Sequence, residues 1–237
     1  MNLACAKFIR MTTDVTHAME DYAKAIYALA QRSDGAAVST NALAARLDVA
    51  PASATAMVKR LAEQGLAEHE PYHGVTLTDK GQRVALEVLR HHRLLERYLA
   101  EELGLPWDRV HAEAEVLEHV LSEELEAVIA AKLGNPTVDP HGDPIPSVDL
   151  ELVDVPTVSL DELPAGGAGQ FVRVSDSDPA VLRHLHDCGI TLGASVHVVE
   201  RQPFDGPLLV CFDGQKEPQQ MGSGLARVMR VTVEEAA

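Results

Sequence analysis

A stretch rich in histidine and glutamate between residues 108 and 133 contains side chains that can bind a metal ion. Its candidate ligands are His111, Glu115, Glu118 and His119. On a helix, positions i, i+4, i+7 and i+8 share one face. The preceding helical stretch adds His92 and Glu96, an i, i+4 pair. Imidazole mixed with carboxylate suits divalent cations such as Mn²⁺ or Fe²⁺, and from the spacing alone a metal site and a merely solvated helix face are about equally expected.

The spacing of these ligands does not match the common catalytic metal motifs. A zinc peptidase needs HExxH on a helix, and the two helical stretches that carry these ligands lack it. A di-iron bundle needs Glu-x-x-His on two helices, whereas Glu115 and His119 are four residues apart. The GxSxG, Walker and GxGxxG motifs are also missing from the sequence. We therefore predict that the chain is not an enzyme, with a metal-binding helical enzyme as the remote alternative.

Charge is distributed unevenly along the 237 residues, whose formal net charge is −16. Residues 1–80 carry eight basic and nine acidic side chains, whereas residues 81–135 have a net charge of −5 and residues 136–237 of −10. Because acidic surfaces repel phosphate, a nucleic-acid site is expected within the first 80 residues.

The location of the protein is suggested by its apolar runs and its cysteines. No apolar run reaches the ~18 residues that a membrane-spanning helix needs, so no membrane partner is expected. Three cysteines without a CxxC pair are typical of a reducing compartment. The sequence thus predicts a cytoplasmic protein.

The first 80 residues have the pattern of a winged helix-turn-helix. Apolar residues recur at helical spacing over residues 14–32, and Ser39 or Thr40 can cap a second helix, NALAARL. Pro51 then opens a third helix, since proline is tolerated in a first turn. Two short alternating stretches, at residues 66–70 and 74–78, predict a β-hairpin. Two helices joined by a short turn and followed by a hairpin form this DNA-binding module.

The third helix would be the recognition helix, whose amino-terminal end meets base edges while flanking side chains bind phosphate. Its small residues can approach thymine methyl groups closely, and its hydroxyls can donate hydrogen bonds to bases. The predicted DNA contacts are Ser39, Thr40, Pro51, Ala52, Ser53, Thr55, Lys59, Arg60 and, in the wing, His73. Winged helices also dock proteins, so an adaptor that binds only protein stays open.

The remainder of the chain divides into helices, a linker and short strands. Helices are expected from about residue 79 to 103 and from 108 to 133, and β-runs follow residue 170. The predicted fold class is α+β multidomain, ending in a small SH3-like barrel. The predicted domains are a winged helix-turn-helix (1–80), a helical metal-binding and dimerisation domain (81–150), a proline-rich linker (151–169) and the barrel (170–237).

This order of modules resembles the diphtheria toxin repressor family of metal-dependent transcriptional regulators. Six segments carry the resemblance: MEDYAKAIYAL, VAPASATAMVKRLAEQGL, LTDKG, HHRLLERYL, VHAEAEVLEHVLSEELE and GNPTVDPHGDPIP. The resemblance covers residues 14–233. It implies a cytoplasmic homodimer that binds a palindromic operator in double-stranded DNA and regulates metal-homeostasis genes, usually as a repressor.

The resemblance also implies two metal sites in each subunit. The primary ligands would be Asp21, Glu115, Glu118 and His119. The ancillary ligands would be His92, Glu96, His111 and one group from the barrel. Ungapped matching from Ile190 assigns that last group to Asp178, with Asp176 as the second choice.

Two positions bear on which metal is sensed. Iron-type members of the family typically have methionine and cysteine where this chain has Asp21 and Glu115. Carboxylates at both positions fit the manganese-sensing branch, because hard oxygen ligands suit Mn²⁺. Lys24 replaces a further carboxylate of some manganese-type members, which puts a binuclear primary site in doubt. The expected cofactor is Mn²⁺, with Fe²⁺ as the alternative.

The resemblance implies a mechanism of regulation. Without metal, the negative charges of the primary ligands repel one another, and the first helix is expected to swing away. A bound cation would clamp that helix to the dimerisation helices. The two recognition helices of the dimer would then have the spacing of successive major grooves.

Overall fold

The structure is a computed structural model, and it describes residues 15–33, 35–70, 73–204, 206–215 and 217–233. It divides into two compact units, which meet in sequence between Leu89 and Arg90. Within the described ranges, no helix combines the length and the apolar character needed to cross a bilayer. The predicted turn at residues 71–72 of the wing lies outside the described residues.

The amino-terminal unit has the predicted winged helix-turn-helix. Its elements are α1 (His17–Gln31), α2 (Thr40–Arg46), α3 (Pro51–Glu63), the antiparallel strands β1 (Ala67–Glu70) and β2 (Gly74–Leu77), and the beginning of α4 (Asp79–Glu101). Ser39 caps α2, where its hydroxyl accepts a hydrogen bond from the Ala42 amide at 3.1 Å. Pro51 occupies the first turn of α3.

One apolar core holds this unit together. Ile26 of α1, Leu43 of α2, Val58 and Leu61 of α3, and Val75 of β2 are fully buried in a single cluster. Burial of such a side chain contributes about 1.5–3 kcal/mol. The buried side chains of α3 face this core, so the opposite face of the helix is turned toward solvent.

The second unit begins with the rest of α4, followed by α5 (Val110–Leu117) and α6 (Glu123–Lys132). The sequence pattern predicts one helix over residues 108–133, and the structure corrects this to two helices separated by a turn at 118–122. Ser122 explains the break, because its hydroxyl accepts a hydrogen bond from the Leu125 amide and starts α6 anew. Acidic side chains in the first turn of α6 favour the same start.

The carboxyl-terminal part of the second unit is an antiparallel sheet of the SH3-like type, with strand order β3-β8-β4-β5-β6-β7. Its strands are β3 (Val158–Ser159), β4 (Ala168–Val174), β5 (Ser195–Arg201), β6 (Leu208–Phe212), β7 (Gln219–Met221) and β8 (Met229–Val233), and its helices are α7 (Pro179–Asp187) and α8 (Ser223–Val228). The sheet therefore begins at Val158, inside the segment 151–169 predicted as a linker. A two-residue strand is too short to show an alternating pattern.

The proline-rich loop 136–147 joins the helices to the sheet. The Val174 amide of β4 donates a hydrogen bond to the His141 carbonyl at 2.9 Å, and Arg173 Nε donates to the Gly142 carbonyl at 3.2 Å. Gly142 has a φ of +89°, and a Cβ on it would lie 1.9 Å from the Val172 carbonyl oxygen. Only glycine permits this approach of loop and strand.

Replacement of Gly142 tests whether this contact holds the loop in place. We expect Gly142→Ala to lower the free energy of unfolding by about 2 kcal/mol, because the new methyl group clashes with β4 and φ is unfavourable. Urea denaturation measures this change. Gly224→Ala is the matched control, since nothing lies within 4 Å of its added Cβ. Equal stability of Gly142→Ala and the control would contradict the account.

Candidate metal centre and nucleic-acid interface

The turn between α5 and α6 presents two of the predicted ligands, Glu118 and His119. Glu118 ends α5, and its side chain is fully buried. The imidazole of His91 fixes the turn: its Nδ1 is 3.1 Å from the Glu118 carbonyl oxygen, and its Nε2 is 3.1 Å from a carboxylate oxygen of Glu126. His91 thus ties α4 both to the turn and to α6.

Four of the predicted ancillary ligands converge in the second unit. His92 and Glu96 lie one turn apart on α4, and His92 Nε2 is 3.0 Å from Glu96 Oε1. His111 Nδ1 is 3.0 Å from His92 Nε2 and 3.1 Å from Glu96 Oε1. Asp176 Oδ2 lies 3.0 Å from the same Nδ1 atom. One ligand atom from each of the four lies within 4.8 Å of the others, which is close enough for one cation.

Asp176 rather than Asp178 is the barrel residue at this cluster. Asp178 caps α7, where its Oδ1 accepts a hydrogen bond from the Ala180 amide at 2.9 Å. The geometry thus favours Asp176, the second choice of barrel ligand, over Asp178, and its role as a ligand stays a prediction. Asp176 lies two residues after the end of β4, and the contact of β4 with the loop at His141 holds it beside α4 and α5.

The other nitrogen of His92 contacts the predicted primary ligands. His92 Nδ1 makes a hydrogen bond with Glu118 Oε2, and Glu115 Oε1 lies 3.7 Å from the same nitrogen. His119 Nε2 is 3.4 Å from Glu118 Oε1. Glu115 is partly exposed, whereas Glu118 is fully buried. His92 therefore lies between the two predicted ligand sets.

Two further residues at the cluster, Asp139 and His141, were not predicted from the sequence. They form a buried group of potential ligands with Glu96. Asp139 Oδ1 accepts hydrogen bonds from the amides of His141 and Asp143 at 2.8 and 2.9 Å. His141 Nε2 is 2.7 Å from the Trp107 carbonyl oxygen. His141 lies in the PHGDP segment, which is part of the family resemblance, and a histidine between proline and glycine was the available signal.

Two buried atoms show that this pocket suits a cation. Among the described residues, Glu96 Oε2 and His141 Nδ1 are buried without a hydrogen-bond partner, and they lie 3.9 Å apart. His141 Nε2 faces a carbonyl and so carries the proton in the neutral ring, which leaves the Nδ1 lone pair directed toward Glu96. Buried polar atoms without partners are costly. A cation bound by these oxygen and nitrogen atoms would satisfy both.

The charges of the cluster shift its pKa values. Hydrogen bonds to Asp176 and then to Glu96 raise the pKa of His111 to about 10 against the opposing effect of burial. Burial raises the pKa of Glu96, but hydrogen bonds from His111 and His92 outweigh it and hold that pKa far below its usual value. Burial and the nearby charges of Glu96 and Asp143 raise the pKa of Asp139.

Asp21 lies on α1 in the amino-terminal unit, where it is half-buried. Lys24 lies one turn further along the same helix and is also half-buried. The role of Asp21 as a ligand together with Glu115, Glu118 and His119 stays a prediction.

The predicted DNA contacts form an accessible surface on the amino-terminal unit. Ala54, Val58 and Leu61 face the core, which turns the other side of α3 outward. The exposed members are Ser39, Pro51, Ala52, Ser53, Lys59, Arg60 and His73, while Thr40 and Thr55 are half-buried. The Thr55 hydroxyl donates to the Pro51 carbonyl at 2.9 Å, which leaves its lone pairs free to accept. The individual contacts stay predictions.

A winged helix and a histidine–carboxylate centre in one chain are characteristic of metal-responsive DNA-binding proteins. Three family models match the sequence in order: the iron dependent repressor N-terminal DNA binding domain over residues 14–75, the iron dependent repressor metal binding and dimerisation domain over 78–147, and the FeoA domain over 158–233.

Known proteins match over most of the chain. The iron-dependent repressor IdeR of Mycobacterium tuberculosis is 38% identical over 165 residues, which are 65% of this chain and 71% of the relative. The diphtheria toxin repressor of Corynebacterium glutamicum is 30% identical over 184 residues, 73% of this chain and 78% of the relative. A solved manganese-dependent transcriptional repressor in complex with manganese has 43% identity and a TM-score of 0.84, covering 91% of this chain and 100% of its own.

The chain therefore belongs to the diphtheria toxin repressor family of metal-dependent transcriptional repressors. The resemblance seen in the sequence is confirmed, as is the α+β fold with its winged helix, helical dimerisation domain and SH3-like sheet.

The raised pKa of His111 predicts that metal binding competes with a proton. Below pH 10 the metal-free ring is protonated, so binding at Nδ1 must release about one proton. Apparent Mn²⁺ affinity should rise about tenfold per pH unit between pH 6 and 8. In the metal-free protein, the free energy of unfolding should fall as pH rises. The stabilisation that the protonated His111 ring contributes is fully present below pH 6.5 and is lost as pH rises through about 10.

Titration calorimetry in buffers of different ionisation enthalpy measures the released proton. His197→Ala removes an exposed histidine of β5 and serves as the control, with unchanged proton release. Affinity that does not change between pH 6 and 8 would contradict the assignment of His111.

Proposed function

We propose that this protein is a cytoplasmic, homodimeric, Mn²⁺-responsive repressor that binds a palindromic operator and controls metal-homeostasis genes. It acts as a regulator and not as an enzyme. The observation that supports this most is the convergence of His92, Glu96, His111 and Asp176 in a chain that also has a winged helix. Family membership supports the same function.

The donor atoms support Mn²⁺ as the effector. Every candidate ligand offers nitrogen or oxygen, and Asp21 and Glu115 are carboxylates at the positions where iron-type members have methionine and cysteine. Hard oxygen ligands favour Mn²⁺, while imidazole also accepts Fe²⁺. Fe²⁺ is the second candidate, because relatives over most of the chain are named iron-dependent repressors.

We assign the ligands to two sites. The primary site would use Asp21, Glu115, Glu118 and His119. The ancillary site would use His92, Glu96, His111 and Asp176. Asp139 and His141 would extend this site as further potential ligands beside Oε2, the second carboxylate oxygen of Glu96. The proximity of Glu96 Oε2 to His141 Nδ1 supports this extension.

Regulation would follow from charge neutralisation at the primary site. Asp21, Glu115 and Glu118 bring three negative charges to it, and their repulsion opposes closure of the site. A bound divalent cation supplies the positive charge that offsets this repulsion. A hundredfold gain in DNA affinity requires about 2.7 kcal/mol of coupling, within the usual range for linked sites.

An exposed apolar surface supports the homodimer. Val116, Val120, Leu125 and Val128 on α5, α6 and the intervening turn are between 50% and 71% exposed. Apolar side chains grouped on adjacent elements are typical of protein interfaces. The matching family model also describes this region as a dimerisation domain.

A charge placed on this surface should weaken the dimer. We expect Val120→Asp to raise the dimer dissociation constant at least about tenfold, because dimerisation would bury two like charges. Sedimentation equilibrium measures the constant. Val148→Asp is the matched control, since Val148 is 78% exposed and belongs to a loop outside α5, α6 and the intervening turn. Equal effects of the two substitutions would contradict the assignment of the interface.

Recovery of genomic DNA tests the regulatory function directly. Metal-stripped protein is mixed with genomic fragments at one salt concentration, in chelator, in Mn²⁺ and in anaerobic Fe²⁺. We expect recovery of a few palindrome-bearing fragments only with metal, at lower concentrations of Mn²⁺ than of Fe²⁺. A fixed salt concentration is essential because phosphate contacts are salt-dependent.

Variants of the primary ligands complete this test. Glu118→Ala and His119→Ala should abolish the response to metal while the fold stays intact, as circular dichroism checks, and His197→Ala should respond normally. Equal recovery in all three conditions, or none, would contradict a metal-dependent regulator. A wild-type Mn²⁺ response of either ligand variant would contradict the primary site.

A further inference from the structure

The tip of the hairpin between β5 and β6 presents a phenylalanine to solvent. Phe204 is 100% exposed, and its φ of +61° lies in the left-handed region that bulky residues rarely adopt. Two hydrogen bonds close the turn, from the Gly206 amide to the Pro203 carbonyl at 3.2 Å and from the Gln202 amide to the Pro207 carbonyl at 3.3 Å. Backbone strain of this kind is concentrated at functional positions, and an outward aromatic ring is suited to binding.

A second feature of the same unit, the Trp107 cavity, has a volume of about 590 Å³. Its apolar wall consists of Pro106, Trp107, Pro140, Ile190 and Leu192. The indole of Trp107 is fixed in place, because its Nε1 donates to the Leu182 carbonyl at 3.2 Å and its ring stacks against His141. The cavity is therefore formed before anything binds in it, and its volume is within the usual range of binding pockets.

Polar side chains of both signs surround this apolar wall. At the rim, Arg183 donates a hydrogen bond to Asp108 at 3.1 Å. The rest of the rim consists of His186, Asp187 and Thr191. An apolar pocket with a polar rim is typical of interfaces that receive an aromatic anchor. A rim of mixed charge favours a segment of small net charge, and the tip sequence QPFDGP, residues 202–207, has a single charged residue.

We propose that Phe204 of one copy docks in the Trp107 cavity of a second copy, so that dimers associate into larger assemblies. Phe204 does not line the cavity of its own chain, and two copies supply the anchor and the cavity in equal number. A contact between two different patches is heterologous, so it can repeat from one copy to the next. It does not use the apolar surface of α5 and α6, and it therefore adds a second interface to the one proposed for the dimer.

Sedimentation velocity of the full-length protein at rising concentration measures this association. We expect wild-type dimers to form larger species, and Phe204→Ala to raise the dissociation constant between dimers at least about tenfold, because a buried aromatic anchor dominates such contacts. Val199→Ala is the matched control, since Val199 is 42% exposed on β5 and lies outside the hairpin tip and the cavity. The dimer itself should persist in both variants.

A variant of the cavity provides the complementary test. Thr191→Arg places a long side chain at the rim of the cavity, and the exposed position of Thr191 should let the variant fold, as circular dichroism checks. Alone, it should lose the larger species as Phe204→Ala does. A mixture of the two variants should regain them, because Phe204 of the Thr191→Arg protein can dock in the open cavity of the Phe204→Ala protein. A general loss of structure would not be repaired by mixing.

Fluorescence of Trp107 reports on the cavity, because it is the only tryptophan of the chain. We expect its emission to shift to shorter wavelength as the wild-type concentration rises, and to stay constant in Phe204→Ala, since docking excludes water from the indole.

The outcomes separate this inference from the proposed function. Wild-type protein that stays dimeric up to its solubility limit would mean that the cavity takes a partner other than a second copy, and would overturn the inference. Larger species that either variant leaves unchanged, or a mixture that stays dimeric, would overturn it as well. Each of these results leaves metal-dependent DNA binding standing, because recovery of genomic fragments is measured separately.

Discussion

The buried carboxylate of Glu96 is the constraint around which the second unit is arranged. Its side chain is 1% exposed. A buried negative charge is strongly unfavourable unless other groups compensate for it. Imidazoles from three chain segments surround it: His92 on α4, His111 on α5 and His141 on the proline-rich loop. Helices, loop and sheet thus meet at one charge, and the sheet contributes Asp176 to the same cluster.

The same arrangement explains why the loop and the turn are built as they are. Gly142 lets the loop approach β4, which places His141 and Asp176 on two sides of Glu96. The break at Ser122 turns the chain after α5 and leaves Glu118 buried beside His92. The long acidic part of the chain therefore contains a site that needs positive charge, while the nearly neutral first 80 residues remain suited to DNA.

Much of the fold and part of the site could be predicted from the sequence. Helical periodicity and capping residues predicted the winged helix, because both are local properties. The i, i+4 pairs predicted His92, Glu96 and His111 for the same reason. The choice between Asp176 and Asp178 could not be made from a local sequence pattern, because both residues follow β4. It depends on the structure, in which Asp178 caps α7 and Asp176 contacts His111. His141 lies in a loop without periodicity, and β3 is two residues long, so neither produced a pattern.

Anomalous diffraction from crystals grown with Mn²⁺ shows whether the carboxylate of Glu96 and its imidazoles form a cation site. Data collected on both sides of the manganese absorption edge identify the metal and its position. We expect an anomalous peak in contact with Glu96 and with nitrogens of His92 and His111. Peaks confined to surface carboxylates, with none at Glu96, would contradict it.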